Sequence, residues 1–302
     1  NGDIMKIICI GQATYDITLP VPKPLSKDSK IKIDKQYKTY GGSAYNAASL
    51  LSKWGKEVYF AGAVGKDFYG SEIVKNSKSK NINNKYLKVL SDPTFNTPVS
   101  YIISNASEGD RSVVTVRSKI TNNLDLDIEE SFDIIYMDGY EKELAKKVIE
   151  KNKNAIKILD AGNVTKDVIE LAKLSDYVIC SKEFVSEYTN VEINPSNMNT
   201  ILNSYEILKE KLDKDTIITL GEAGSFTYFN GYKLIPSISV NVVDTTGAGD
   251  IYHAAFTYFI SSGYNVTDSM RRSNVTAALS CETMDKTSIN LKKAMDTFKS
   301  VL

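Results

Sequence analysis

Lys6-Ile-Ile-Cys-Ile10, closed by Gly11, is a stretch of strand length whose residues after Lys6 are all apolar. A strand with one solvated face alternates polar and apolar residues. One covered on both faces is apolar throughout, as in the middle of a parallel sheet. Similar runs recur at 57–62, 133–137, 156–159, 177–180 and 216–220. Between several of them lie stretches of helical period, at 44–54, 142–151, 165–173 and 199–212. Strand and helix alternating over this length predict an α/β fold with a mostly parallel sheet. Right-handed crossovers would cover both faces of that sheet.

Two regions break the alternation. Thr14-Tyr-Asp-Ile-Thr-Leu19 alternates polar and apolar residues, as do 97–105 and part of 111–116, with Ser107-Glu-Gly-Asp110 as the loop of a hairpin. Segments 13–41 and 94–118 are therefore expected to form a small β-sheet lid. Residues 5–12, 42–93 and 119–302 would make the α/β core that binds nucleotide and substrate. The alternative is that the two inserts extend an edge of the main sheet.

Lys+Arg and Asp+Glu both number 37, so no net field favours nucleic acid or an anionic membrane. The only arginines are Arg111, Arg117, Arg271 and Arg272, too few and too scattered for a basic stripe. No apolar run approaches the roughly 20 residues that span a bilayer. Cys9, Cys180 and Cys281 form no CxxC and lie in or beside apolar segments, as expected for buried thiols in a reducing cytoplasm. With His253 as the only histidine, zinc sites and histidine-based triads are nearly excluded, and His253 itself is expected to pack inside a helix. No charged segment followed by an apolar one precedes Met5, so residues 1–4 read as an extension rather than a signal peptide.

The chemistry concentrates in Asp244-Thr-Thr-Gly-Ala-Gly-Asp250, which opens into the apolar run 251–260. Gly247 and Gly249 lack a Cβ, so their N–H groups can approach an oxyanion closely at the positive end of a helix. Asp250 stands where a general base would be needed, a pairing that suits phosphoryl transfer from ATP to an alcohol. The plainer alternative is a turn followed by a capping Asp. Tyr40-Gly-Gly-Ser-Ala-Tyr-Asn46 opens another helix, and the Asn46 amide can both donate to and accept from hydroxyls. Asp16 can accept from two hydroxyls at once, or can simply be a solvated strand charge. The stretch 62–70 contains Gly-Lys but is no P-loop, because Phe60 and Asp67 occupy the positions of its first glycine and its Ser/Thr. Thr219-Leu-Gly221-Glu-Ala-Gly224 reads as a glycine-rich turn able to lie against a nucleotide, or as a hairpin corner.

Taken in order, these segments resemble the ribokinase-like (PfkB) carbohydrate kinase family, over essentially the whole chain from Met5. Gly42 to Asn46 looks like the family's first signature and Asp244 to Asp250 like its second. Segments 62–70, Gly109-Asp-Arg111 and 219–224 fall where the family has comparable elements. The resemblance implies a Rossmann-like three-layer α/β sandwich with a β-sheet lid, and an ATP-dependent sugar kinase. Asp250 would be its base, and the amides of Gly247, Ala248 and Gly249 its anion hole. Asp16, Gly42, Asn46, Thr14 and Arg111 would hold the substrate. Thr219, Gly221, Gly224, Thr246, Asn274 and Ser181 would line the nucleotide side. Mg²⁺ would bridge the ATP phosphates, and a monovalent cation such as K⁺ would be sought at Asp244 and Thr246.

The chain departs from the family's pattern at three places. Ser181-Lys-Glu183 replaces an Asn-x-x-Glu element, with the acid displaced by one, which leaves the metal role of Glu183 open. Thr14 stands where sugar sites often place Asn. Met284-Asp-Lys-Thr287 replaces a glycine-containing turn and weakens the case for the cation site. The expected protein is a cytoplasmic carbohydrate kinase that binds neither nucleic acid nor membrane, with a homodimer through the lid edge as an option. Two alternatives stay open: a nucleoside kinase using Tyr15, Tyr40 or Tyr45 as a base slot, and a non-catalytic sugar- or nucleotide-sensing protein.

Overall fold

The computed structural model describes residues 5–105, 110–118, 124–229 and 231–301. The main sheet is built outward from β1 (Lys6–Ile10), which pairs in parallel with β4 (Glu57–Gly65) on one side and β8 (Ile134–Met137) on the other. Beyond β4 lies β5 (Leu87–Leu90). Beyond β8 lie β9 (Ile156–Ala161), β10 (Tyr177–Ser181), β11 (Ile217–Thr219), β12 (Ser225–Thr227) and β13 (Lys233–Ile235). Only the last two pairings, β11 with β12 and β12 with β13, are antiparallel. The strand order therefore reverses at β1, the kind of switch point where crevices open beyond the carboxyl ends of parallel strands.

Successive side chains of β1 serve opposite cores, as strand geometry requires. Ile7 and Cys9 pack with α1 (Ser43–Lys53), α2 (Phe68–Ser79), α7 (Ala248–Ser261), α8 (Val266–Ser280) and α9 (Leu291–Val301). Ile8 and Ile10 pack with α3 (Lys142–Lys151), α4 (Lys166–Leu174), α5 (Lys182–Thr189) and α6 (Met198–Leu212). The result is the three-layer α/β sandwich expected from the apolar runs. Helix α7 is buried nearly all round, from Ile251 to Ser261, which is why its sequence shows little amphipathic stripe. None of the described helices is long and apolar enough to cross a membrane.

A second, four-stranded sheet has the order β3 (Tyr37–Gly41), β2 (Thr14–Val21), β6 (Val99–Asn105), β7 (Asp110–Val116). Its central pair, β2 and β6, is parallel and its outer pairs are antiparallel. Residues 106–109 between β6 and β7, which include Ser107, Glu108 and Gly109 of the expected hairpin loop, lie outside the described residues. Asp67, in the stretch that mimics a P-loop, caps α2 by accepting from Gly70 N at 2.7 Å. The same carboxylate accepts from Thr97 N and Thr97 Oγ1, both at 2.8 Å, and so ties the small sheet to the core.

Candidate active site

At the switch point the carboxyl ends of β8 and β9 deliver two buried carboxylates, Asp138 and Asp160. Asp138 accepts from the backbone N–H of Gln12 (2.8 Å), Tyr140 (3.1 Å) and Ala44 (3.3 Å), which joins the end of β1 to the first turn of α1. Burial nevertheless pushes its carboxyl up to about 7. Asp160 accepts from Ser43 Oγ and lies 3.2 Å from His253 Nδ1. Burial alone would raise Asp160, but the His253 charge and the Ser43 and Tyr136 hydroxyls hold it below the usual carboxylate range. For His253, burial opposes the charged form, and the Asp160 carboxylate outweighs it and raises the imidazole. The single histidine is buried inside α7, as expected, and its imidazole also faces the Asp160 carboxylate.

Above this floor the N-termini of α1 and α7 meet. Asn46, in the first turn of α1, donates Nδ2–H to Asp250 Oδ2 at 2.7 Å. Burial, followed by the charge of Asp160, raises the Asp250 carboxyl to about 6. The helix α7 starts from Gly247 in the left-handed region (φ 73°), with no side chain capping its first N–H groups. Ala248 N–H bonds Thr245 O at 3.2 Å, whereas the N–H groups of Gly247 and Gly249 meet no acceptor among the described residues. In this state two of the three amides expected to hold an anion are open. Gly42 (φ 92°) precedes α1 against the chain leaving β1, and a Cβ there would come within 2.2 Å of Gln12 O.

A cleft of about 170 Å³ gathers Asp16, Gly42, Asn46, Asp244, Thr246, Gly247 and Asp250, with Thr18, Thr39, Tyr40 and Ile102 contributed by the small sheet. A larger hollow of about 340 Å³ under α3 has neither an open helix start nor a buried acid, so chemistry and not size locates the site. Thr14 stands behind the cleft wall and donates Oγ1–H to Asp16 Oδ1 at 2.7 Å. Arg111 reaches from β7 to hydrogen-bond Thr245 Oγ1, so the small sheet touches the anion turn directly.

Ser181, Glu183, Thr219, Gly221, Gly224 and Asn274 are not among the residues that line this cleft, whereas Asp244 and Thr246 are. Ser181 caps α5, accepting from Phe184 N at 3.0 Å, and Glu183 is exposed in the first turn of that helix. Thr219 donates to Cys180 O at 3.3 Å, and Gly221 and Gly224 bound the one-turn corner between β11 and β12. Asn274 is buried in α8, its amide nitrogen bonded to Ile235 O at 2.9 Å at the end of β13. Asp244 Oδ1 accepts from Thr246 N (3.0 Å) and Thr246 Oγ1 (2.8 Å). Sequence reasoning missed Asp138, Asp160 and Lys286. For the two acids a signal was present, since each stands at the carboxyl end of an apolar strand.

The model of the pfkB family carbohydrate kinases matches residues 5–293. The chain belongs to the pfkB family of carbohydrate kinases. It is 27% identical to the ribokinase of Bacillus subtilis over 91% of this chain and 93% of that one. It is 25% identical to the nucleoside kinase of Methanocaldococcus jannaschii over 88% and 87%. Among solved structures, a putative ribokinase from Agrobacterium tumefaciens superposes with a TM-score of 0.84 at 20% identity, covering 98% of each chain, a likeness of fold. Membership makes this chain an ATP-dependent carbohydrate kinase, and the sandwich with its second sheet is the family's fold.

Proposed function

We propose that this pfkB-family kinase transfers the γ-phosphoryl group of ATP to a hydroxyl of a sugar or sugar derivative, with Asp250 as general base. The observation that carries the reading is a single juxtaposition. A half-buried carboxylate, oriented by Asn46, stands one turn from two open helix-start amides and faces Asp16 across one cleft. The acceptor hydroxyl gives its proton to Asp250 while its oxygen bonds to the γ-phosphorus. The bond from that phosphorus to the bridging oxygen breaks, and ADP leaves. The amides of Gly247 and Gly249, joined by Ala248 once its bond to Thr245 opens, would hold the charge on the phosphoryl oxygens. A carboxyl titrating at about 6 is still ionised at neutral pH yet is a stronger base than an ordinary aspartate.

Asp16, oriented by Thr14, would grip the sugar hydroxyls with Asn46 and the Gly42 backbone. The four-stranded sheet would act as a lid that excludes water from the transfer, and Arg111 would couple it to the anion turn. The nucleotide would lie toward the β11–β12 corner, past Thr246, Thr219, Gly221 and Gly224. In this reading Ser181 and Asn274 hold α5 and the end of β13 in place on that side. Mg²⁺ would neutralise ATP phosphate charge with mostly water ligands, as suits a hard cation. Among the described residues no three or more Asp, Glu, His or Cys side chains converge as a cage, and Glu183 is the exposed acid nearest in sequence to the expected metal element. A cytoplasmic location is supported by three cysteines that are all unpaired and buried.

The cleft wall favours a polyol over a nucleobase. Tyr45 is buried against Phe60 (ring centroids 5.3 Å apart), and Tyr15 is buried in the cluster with Tyr69, which leaves Tyr40 as the one cleft-lining ring among the three tyrosines. The test is ADP release from ATP and Mg²⁺ against pentoses, hexoses, ketoses, sugar acids, sugar phosphates and nucleosides. Turnover should appear on a sugar class and fall by about 10²–10⁴ in Asp250→Asn, with ATP affinity by calorimetry little changed. Turnover on nucleosides alone would replace the sugar reading. Asp250→Asn at wild-type turnover would sink the base assignment.

A further inference from the structure

Beneath the turn that carries the open amides lies a cation that the transfer reaction has not used. Lys286 begins a single 3-10 turn (Lys286–Ser288) after α8, and its side chain is only 8% exposed. Its ammonium donates to Thr283 O at 2.5 Å and to Asp244 O, and it lies 3.2 Å from Asp244 Oδ2. An ammonium has three protons, and here three oxygens receive them: two backbone carbonyls and one carboxylate. The lysine stem runs beneath Gly247, its Cγ 3.8 Å from where a Cβ on that glycine would stand. The other oxygen of Asp244 is already held by Thr246. Lys286 therefore closes the 244–247 turn and sets a positive charge against it, at the wall of the same cleft.

The same geometry bears on the monovalent cation that family resemblance leads one to expect at Asp244 and Thr246. Carbonyl and carboxylate oxygens make a coordination shell for a K⁺-like ion. In this chain those oxygens face an ammonium, and a second cation within reach of them would be repelled by it. The residues present do not fit a bound K⁺.

We propose that Lys286 is a built-in cation, a positioning residue that fixes the anion turn and makes phosphoryl transfer by this chain independent of K⁺. The inference rests on the kinase reading for its catalytic consequence, but not for its structural one. The ammonium orders the Asp244 carbonyl and carboxylate, and with them the start of α7, so the amides of Gly247 and Gly249 stay aimed at the cleft. Removing the charge while keeping the stem would leave an oxygen shell open to a small cation from solution.

The test compares wild type with Lys286→Met in potassium, ammonium and tetramethylammonium chloride at one ionic strength, by turnover and by thermal unfolding. Wild-type turnover should vary by less than about twofold across the three salts. Lys286→Met should lose at least about tenfold in kcat in tetramethylammonium and recover much of it in potassium or ammonium. Its unfolding midpoint should rise by about 2–4 °C in potassium, with no rise in wild type. A wild type that stalls without K⁺ overturns the proposal, and this arm stands even if the variant does not fold. A folded variant that stays inactive in every salt would instead make Lys286 a direct contact of substrate or ATP. A variant as active as wild type in tetramethylammonium would make it merely structural. If no alcohol is turned over by wild type, the kinase reading fails, while the unfolding comparison still decides whether Lys286 fills a cation site.

Discussion

Asp250 is pulled in opposite directions by its neighbours. Burial and the Asp160 charge raise its carboxyl, while the Asn46 amide and the His253 charge lower it, with a net value of about 6. A base works only when ionised, so turnover should fall as pH drops through about 6, which a kcat/KM profile would show as an acid limb there. In Asp160→Asn the larger of the two neighbouring charges disappears, and that limb should move to lower pH. His253→Gln removes the opposing positive charge, so its limb should move up. If both variants leave the limb in place, the titration belongs to another group. The sequence had named Asp250 and Asn46 for separate tasks, one as base and one as a substrate contact. Their 2.7 Å hydrogen bond spans 204 residues of chain, a distance over which no local pattern carries information.

The elements that matter are two helix starts, each set by a glycine. At Gly42 a Cβ would collide with backbone, Gln12 O at 2.2 Å, which cannot move aside as a flexible side chain would. Gly42→Ala should therefore cost at least about 2 kcal/mol in urea unfolding, on top of the positive φ. Gly247 differs, because a Cβ there meets only ordinary contacts at 3.8 Å and the penalty is the left-handed backbone itself, about 1–2 kcal/mol. Gly247→Ala should fold, with kcat reduced more than ATP affinity as the open amides lose their aim. Equal stability losses in the two variants would show that the close approach at Gly42 carries no weight. Both glycines were legible from their motifs. That one is a steric necessity and the other a conformational one required the positions of Gln12 and Asn46.

Across the whole molecule, the four-stranded sheet is joined to the core by the Asp67–Thr97 bonds at its base and the Arg111–Thr245 bond at the cleft. Its outer strand β7 leaves Val113, Val114 and Val116 half or more exposed. An open edge with apolar side chains on both faces invites pairing with another strand. We expect a homodimer through this edge. Val114→Lys should shift the mass measured by light scattering from dimer to monomer, and a wild type that is monomeric at all concentrations would dispose of the idea. The alternating segments of the sequence announced strands here. They did not announce that β2 and β6 would run parallel at the centre of a separate sheet, because that pairing joins residues some 84 positions apart, Tyr15 with Val99.

Apolar runs such as Ile7–Ile10 determined the central sheet by themselves, since a strand covered on both faces is mostly apolar. Likewise, the glycines and acids of 40–46 and 244–250 determined where phosphate chemistry would lie, because each motif is complete within seven residues. Tertiary structure alone decided what surrounds them. His253 and Lys286 look, in sequence, like ordinary helix and turn residues, and Asp138 and Asp160 show only their place at the carboxyl ends of apolar strands. Folding takes them out of water, and burial turns a solvated charge into one that must be paired or shift its proton affinity. The pairing of Asp160 with His253, and of Lys286 with Asp244, is therefore a property of the folded chain.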